Sequence, residues 1–357
     1  MVVVILILGA FLAIFGGKVK MPVFKTNSAG ELERVFIETG NGDREPAFEE
    51  KNKFLNAQSL TQLAKDTSFI AIMAVGATIV IISGGIDLSV GAIYALASVT
   101  AALFFHRYGP ELVNGSSPWF VVPLGILICL GVGALGGLLN GGMIVALRVH
   151  PFIITLGTMA IYRGIAFVIT NGQSVGSFPQ EFRDLISFTV GRRLSIVPLL
   201  VMILATIIGS IFLSRMAAGR RVYAIGGNEL ASRYSGIRVE RVKLGVFIIS
   251  GLAAGIAALI ALGYYGAASS ADGTGYELSV IAAAVVGGAS LTGGKGSALG
   301  ALLGALIIQM ISTGIVFVGI KQSYSQIIIG SVVILAVVLD QVNNWLARKR
   351  LATRAGL

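Results

Sequence analysis

Few side chains in this sequence are equipped for chemistry, and those few lie inside or beside long apolar runs. Asp87, in Val80-Ile-Ile-Ser-Gly-Gly-Ile-Asp-Leu-Ser-Val-Gly91, is the acid best placed to sit within or at the edge of a membrane. A charge at that depth is costly, so such a residue faces a bundle interior or a cavity. Two roles are open to it. With Ser89 it can cap the free N–H groups of the following helix, or it can line a gate or substrate path. Arg163, in Ile161-Tyr-Arg-Gly-Ile-Ala-Phe167, lies more than half-way along its apolar run. It can snorkel to the outer interface, or it can pair with Asp87 and line a polar path. Glu277, in Gly273-Thr-Gly-Tyr-Glu-Leu278, follows the small polar stretch 266–273, which can form a mouth or a plain loop. An acid there can cap the next helix.

Other chemistries are excluded. Gly294-Lys295 looks superficially like a phosphate-binding loop, but Ala289 replaces the first glycine of G-x-x-x-x-G-K-[ST] and Gly296 replaces the final hydroxyl residue. Neither H-E-x-x-H nor G-x-S-x-G is present. His106 and His150 are single residues near the ends of apolar runs and mark interfaces rather than ligands. The lone Cys129 offers no disulfide framework and no cysteine-based metal site. No cofactor and no metal are expected, and an intramembrane enzyme is disfavoured.

The chain of 357 residues is 55% hydrophobic and only 12% charged, against about 25% charged in globular proteins. Mean hydropathy is +0.87. This is a polytopic, all-α membrane protein, and its 47 glycines suit helices that approach closely through small side chains. The net charge of +10 fits cytoplasmic loops that set topology, not nucleic-acid binding. Apolar runs near 2–16, 67–84, 90–106, 119–146, 151–171, 196–214, 244–266, 279–290, 297–318 and 324–342 predict about ten spans. They form one transmembrane domain over 1–357. The N-terminal run lacks a positive flank and reads as an uncleaved first span.

The most basic segment, 215–243, carries Arg215, Arg220, Arg221, Arg233, Arg238, Arg241 and Lys243 against Glu229 and Glu240. Placing it in the cytoplasm puts Arg148 and the tail with Arg348, Lys349, Arg350 and Arg354 inside, with both termini cytoplasmic. Arg192 and Arg193 then fall outside and disagree mildly. The polar excursion 18–65 falls outside as a small lobe or flexible loop. Two apolar stretches are interrupted alike, near 84–91 and 287–296. Each has an aliphatic run, Gly-Gly, and then a leucine followed by a hydroxyl residue. Paired Gly-interrupted segments in two halves of a transporter mark broken helices around a path. The two matches define corresponding breaks rather than a proven repeat.

Five motifs in order complete the pattern. They are Gly84-Gly-Ile-Asp-Leu-Ser-Val-Gly91, Pro151-Phe-Ile-Ile-Thr-Leu-Gly-Thr-Met159, and Tyr223-Ala-Ile-Gly-Gly-Asn-Glu229 with Ser235-Gly-Ile237. Gly273-Thr-Gly-Tyr-Glu-Leu278 and Gly287-Gly-Ala-Ser-Leu-Thr-Gly-Gly-Lys-Gly296 follow. Together, over roughly 66–342, they resemble the permease subunit of ribose-type bacterial sugar ABC importers, in the branched-chain amino acid/ribose permease family. The excursion 18–65 and the near-absent cytoplasmic N-terminal tail depart from that pattern.

The resemblance implies a type II importer-like fold in the bacterial inner membrane. It implies two permease copies, identical or paralogous, over two ATP-binding subunits that bind the ATP, and an extracytoplasmic sugar-binding protein. Region 215–243 would then be the coupling region, with Gly226, Gly227, Asn228 and Glu229 at the ATPase cleft. Gly226-Gly227 would form a sharp turn and Asn228 would cap a short helix 229–235, while Arg220, Arg221 and Arg233 pair with acids on the partner. Sugar would pass along a weakly binding path of small and hydroxyl residues such as Ser83, Ser89 and Thr155, with Asp87, Arg163 and Glu277 as further path or gate candidates. A rival of another class is a stand-alone secondary transporter or channel for a small polar solute. An amino acid, autoinducer or nucleoside also remains open as cargo.

Overall fold

In hydrocarbon a backbone has no partner but itself, so apolar runs of this length fold into helices. The computed structural model describes residues 1–26, 32–38, 44–109, 118–190 and 194–332, with 334, 335, 337, 338 and 342. Helices run over Val2–Phe15 (α1), Ala57–Ile82 (α2), Val90–Tyr108 (α3), Pro118–Leu147 (α4), Pro151–Thr170 (α5) and Gln180–Ser187 (α6). They continue with Ile196–Arg215 (α7), Ala217–Gly227 (α8), Glu229–Tyr234 (α9), Val239–Tyr265 (α10), Tyr276–Val286 (α11) and Ala298–Phe317 (α12). Among the described residues seven of these are long and apolar enough to cross a membrane: α2, α3, α4, α5, α7, α10 and α12. The runs expected at 2–16 and 279–290 form the shorter apolar helices α1 and α11. The last expected span is helical at 325–332, while the basic tail at 348–354 and Arg192 and Arg193 lie outside the described residues.

Two boundaries differ from expectation. The excursion 18–65 ends at Asn56, whose side-chain oxygen accepts the Ser59 N–H at 2.8 Å and starts α2 ten residues before its apolar run. Hydropathy missed this turn because Gln62, Lys65 and Asp66 are polar yet helical, and they face protein or a cavity rather than lipid. Within the expected coupling region 215–243 the predicted short helix 229–235 is α9, but helix also covers 217–227 as α8, and α10 already begins at Val239.

The excursion itself is three short antiparallel ribbons: 18–22 with 48–52, 24–26 with 32–34, and 36–38 with 44–46. They meet where Val23 N–H donates to Ala47 O, Val35 N–H to Val23 O and Ala47 N–H to Val35 O, at 2.8–2.9 Å. A closed triangle of backbone bonds thus organises a segment with too few apolar side chains for a core of its own. Phe24, Phe36 and Phe48, each one residue past a corner of that triangle, stay exposed.

The bundle is built around α2: 94% of its apolar window is buried, with α7, α10, α11 and α12 packed against it. The tightest pairing is α4 on α10. Gly133 and Gly137 of α4 face Gly251 and Gly255 of α10, two four-residue glycine spacings set face to face. A Cβ on Gly137 would stand 2.1 Å from the Phe247 carbonyl oxygen, and one on Gly251 would stand 2.2 Å from that of Gly133.

Both interrupted helices end by the same device. At the end of α2, Gly84 (φ +82°) donates to Ile81 O and Gly85 to Val80 O; at the end of α11, Gly288 (φ +91°) donates to Val285 O and Ala289 to Ala284 O. Each is a six-to-one closure around a left-handed glycine. The structural register therefore pairs Gly84 with Gly288, one residue off the Gly-Gly match read from sequence.

Gly137→Val should lower the thermal midpoint of the detergent-solubilised protein, with an overpacking cost of about 1–3 kcal/mol. Gly142→Ala, where a Cβ meets nothing within 4 Å, should not. Equal melting of the two variants would refute the close α4–α10 approach.

Candidate functional site

The two breaks do not stand apart. Helix ends leave their last carbonyls without intrahelical partners, and the orphan on Ile82, at the end of α2, accepts the N–H of Gly294 at 2.9 Å. Gly226, in the last turn of α8, closes over this bond. A Cβ there would lie 1.7 Å from Ile82 O and 2.5 Å from Gly294 N, so no side chain fits. Gly293 (φ +85°) and Gly294 (φ +73°) curve around it, and one turn earlier on α8 the Tyr223 hydroxyl donates to Gly296 O at 2.7 Å. Residues from three distant stretches, 82, 223–226 and 293–296, thus form one junction.

This revises the expected role of Gly226-Gly227. Both lie inside α8, neither has a positive φ, and Gly226 serves contact rather than a turn. The turn falls to Asn228, extended at φ −160°, whose side-chain oxygen caps α9 by accepting the Ala231 N–H at 2.9 Å. Beyond Gly226, a Cβ on Gly227 would meet open space.

Helix α9 is fastened by charge. Glu229 accepts from Lys243 Nζ at 2.7 Å and from Arg233 at 3.4 Å, and Arg233 reaches on to Glu240. Partial burial pulls the Glu229 carboxyl pKa upward, but the Lys243 and Arg233 cations outweigh that and hold it below its ordinary value. The clasp is therefore complete above the unfolded-state pKa of glutamate and is lost as pH falls through the lowered folded value. Arg220 and Arg221 are exposed and, with Arg238 and Arg241, line a groove of about 700 Å³ that contains no acid among its lining residues. The surface also holds two residues that charge counting overlooked. Leu230 and Tyr234, four apart on α9, are 61% and 84% exposed. Their i, i+4 spacing within a polar island was the available signal.

The remaining candidates form a closed brace. Asp87 is buried and accepts the Ser89 N–H and hydroxyl (3.0 and 2.7 Å) and the Ser250 hydroxyl of α10 (2.8 Å). Asn140 of α4 donates to Ser89 Oγ at 2.6 Å, and its oxygen accepts from the Tyr162 hydroxyl of α5 at 3.2 Å. Thr155 of α5 donates to Ile86 O at 3.2 Å, and Ser83 to Val80 O at 2.7 Å. Ser83, Asp87, Ser89 and Thr155 are all buried, and within this one chain the network ties α4, α5 and α10 to the first break. Asn140, Tyr162 and Ser250 escaped the sequence reading because single polar residues in apolar runs carry no motif.

Arg163 does not meet Asp87. It donates instead to the carbonyls of Ser270 (2.8 Å) and Asp272 in the loop before α11, a loop also stitched to Val175 through Ala268. Glu277 accepts the Gly275 N–H at 3.2 Å with one oxygen, the expected capping contact. Its other oxygen is buried without a partner, against Gly91, where a Cβ would come within 2.7 Å of it.

A multi-span helical bundle with two internally broken helices, both locked to a helical polar excursion, has the architecture of a membrane permease. The chain belongs to the family described as branched-chain amino acid transport system / permease component, whose model matches residues 59–337. It is 38% identical over 289 residues to the ribose import permease protein RbsC of Escherichia coli strain K12, covering 80% of this chain and 87% of that protein. The D-allose transport system permease protein AlsC of the same strain is 36% identical, with 81% and 85% covered. The fructose import permease protein FrcC of Rhizobium meliloti is 33% identical, with 81% and 79% covered. No solved structure matches the chain. The matched region begins after the ribboned excursion.

Replacing Asn140 by leucine strips a partner from both Ser89 and Tyr162 inside the bundle. Such a loss costs about 1–3 kcal/mol, to be read as a lowered unfolding midpoint in detergent; an unchanged midpoint would show that the brace holds nothing.

Proposed function

We propose that this chain is the membrane permease of a bacterial ABC importer for a monosaccharide or similar small sugar, working by alternating access. The junction of Gly226 with Ile82 and Gly294 carries the reading, because it gives a polar excursion a direct, unyielding grip on both broken helices. The excursion α8–α9 faces the cytoplasm, as do both termini, and docks the ATP-binding subunit. Arg220, Arg221 and the arginine-lined groove take its acidic side chains, Leu230 and Tyr234 seat against it, and Asn228, Glu229 and Arg233 keep α9 in place. ATP is bound and hydrolysed there, and the permease carries no cofactor. A second permease copy, identical or paralogous, covers apolar faces on α5 and α7, whose apolar windows are only 22% buried. An extracytoplasmic binding protein delivers the cargo. Import of a sugar is supported by the ribose, allose and fructose permeases to which the chain is similar. Asp87, Ser89 and Thr155 then act as the brace against which the gate works.

In a complex reconstituted with its ATP-binding subunits and binding protein, Gly226→Val should insert and assemble but cut sugar uptake by at least about tenfold, the order of an allosteric coupling, while ATP turnover persists. Gly142→Ala, where a Cβ meets nothing within 4 Å, serves as the neutral control. Normal, ATP-coupled uptake by Gly226→Val would overturn the junction's role.

A further inference from the structure

At the end of the bundle opposite α8 and α9, a cavity of about 710 Å³ opens between α2, α10, α11, α12 and residues 322–329. That size is within the ~300–1,000 Å³ of small-molecule sites. On α2 it is lined by Gln62, Asp66, Phe69 and Ile70, a single face at helical spacing, so it reaches about 12 Å into the bundle at 1.5 Å per residue. Its chemistry is unlike that of the apolar helices around it. Gln309 sits among aliphatic residues in Ala298-Leu-Gly-Ala-Leu-Leu-Gly-Ala-Leu-Ile-Ile-Gln-Met-Ile-Ser312. Across the cavity stand Gln322 and Gln326.

None of these three amides hydrogen-bonds to the protein among the described residues. Gln309 is half-buried and Gln322 and Gln326 are exposed to the opening, so all three amides remain free to donate to and accept from a ligand. Asp66 is already engaged through one oxygen by Gln62 (2.8 Å) and Tyr265 (3.3 Å), which leaves the other oxygen as an acceptor. Tyr265, Tyr276 and Phe69 add ring surfaces.

No lysine or arginine lines the cavity, which disfavours an anion. Its single carboxylate is too little for a metal ion, and no cluster of metal-ligating side chains occurs among the described residues. Amide and hydroxyl groups around aromatic faces suit a ligand with many hydroxyls and no charge.

We propose that this vestibule is a binding subsite of the permease itself for a neutral polyhydroxylated ligand, contacted by Gln309, Gln326 and Asp66. The proposal rests on the sugar-import reading and adds selectivity inside the membrane subunit. Saturation-transfer NMR on the detergent-solubilised full chain, with D-ribose, D-allose and D-fructose as millimolar probes, tests it. The wild type should transfer magnetisation to at least one sugar. Gln309→Leu and Gln326→Leu should abolish the transfer without lowering the thermal midpoint, and Gln309→Asn should restore part of it. Equal transfer in the variants overturns the subsite, as does a silent wild type whose reconstituted complex nevertheless transports that sugar. In both cases the function stands. A complex that transports no sugar removes the function, and the subsite with it.

Discussion

The carbonyl oxygen of Ile82 is the atom on which the rest of the architecture turns. It ends a helix inside the bundle, where water is not at hand and an unmet carbonyl is expensive. Its donor comes from Gly294, more than two hundred residues on, and the bond is roofed by Gly226 at a separation that admits only hydrogen on its Cα. A contact of backbone on backbone leaves no side chain to rearrange. Displacing α8 must therefore move the loop at 293–296, the end of α2, or both.

The two breaks share a backbone device but are secured differently. The first is held by side chains from α4, α5 and α10 through Asp87, Ser89, Asn140, Tyr162 and Ser250. The second closes chiefly through its own backbone, with Ser290 N–H on Lys295 O and Gly293 N–H on Ser290 O. The structure thus sets a break braced by side chains beside one closed largely by backbone and lets α8 touch both.

How far this was legible depended on the kind of signal. Long apolar runs announced the spans, because hydrocarbon burial is written directly in composition. Glycine pairs announced the breaks, and Asn228 announced a helix cap. The register of the breaks was not legible: whether Gly84 answers to Gly287 or Gly288 is set by which glycine takes the left-handed conformation, and a Gly-Gly pair leaves that open. The start of α2 was hidden because Gln62 and Asp66 face a polar cavity, where hydropathy reads them as loop. Gly226 was singled out for the wrong reason, since a glycine that makes room and one that makes a turn look alike in sequence. The ribbon junction left a faint trace, with Val23, Val35 and Ala47 recurring every twelve residues and each followed by phenylalanine.

Helix α2 also joins the two ends of the molecule. Gln62 lines the vestibule and Ile82 closes the junction, about 30 Å apart along twenty residues at 1.5 Å each. Buried as it is, α2 cannot shift without unpacking its neighbours on every side. The hairpin of α11 and α12 is different. It is rigid within itself, since a Cβ on Gly304 would lie 1.9 Å from Ala283 O and one on Gly300 2.1 Å from Gly287 O. Its near end carries Gly293 and Gly294 at the junction, while Tyr276, Ser279, Gln309 and Ser312 line the vestibule at the other. A close-packed body passes on displacement instead of absorbing it. In the importer proposed above, a push at Gly226 would reach the vestibule as a tilt of this hairpin against α2, which would open one end as it closes the other.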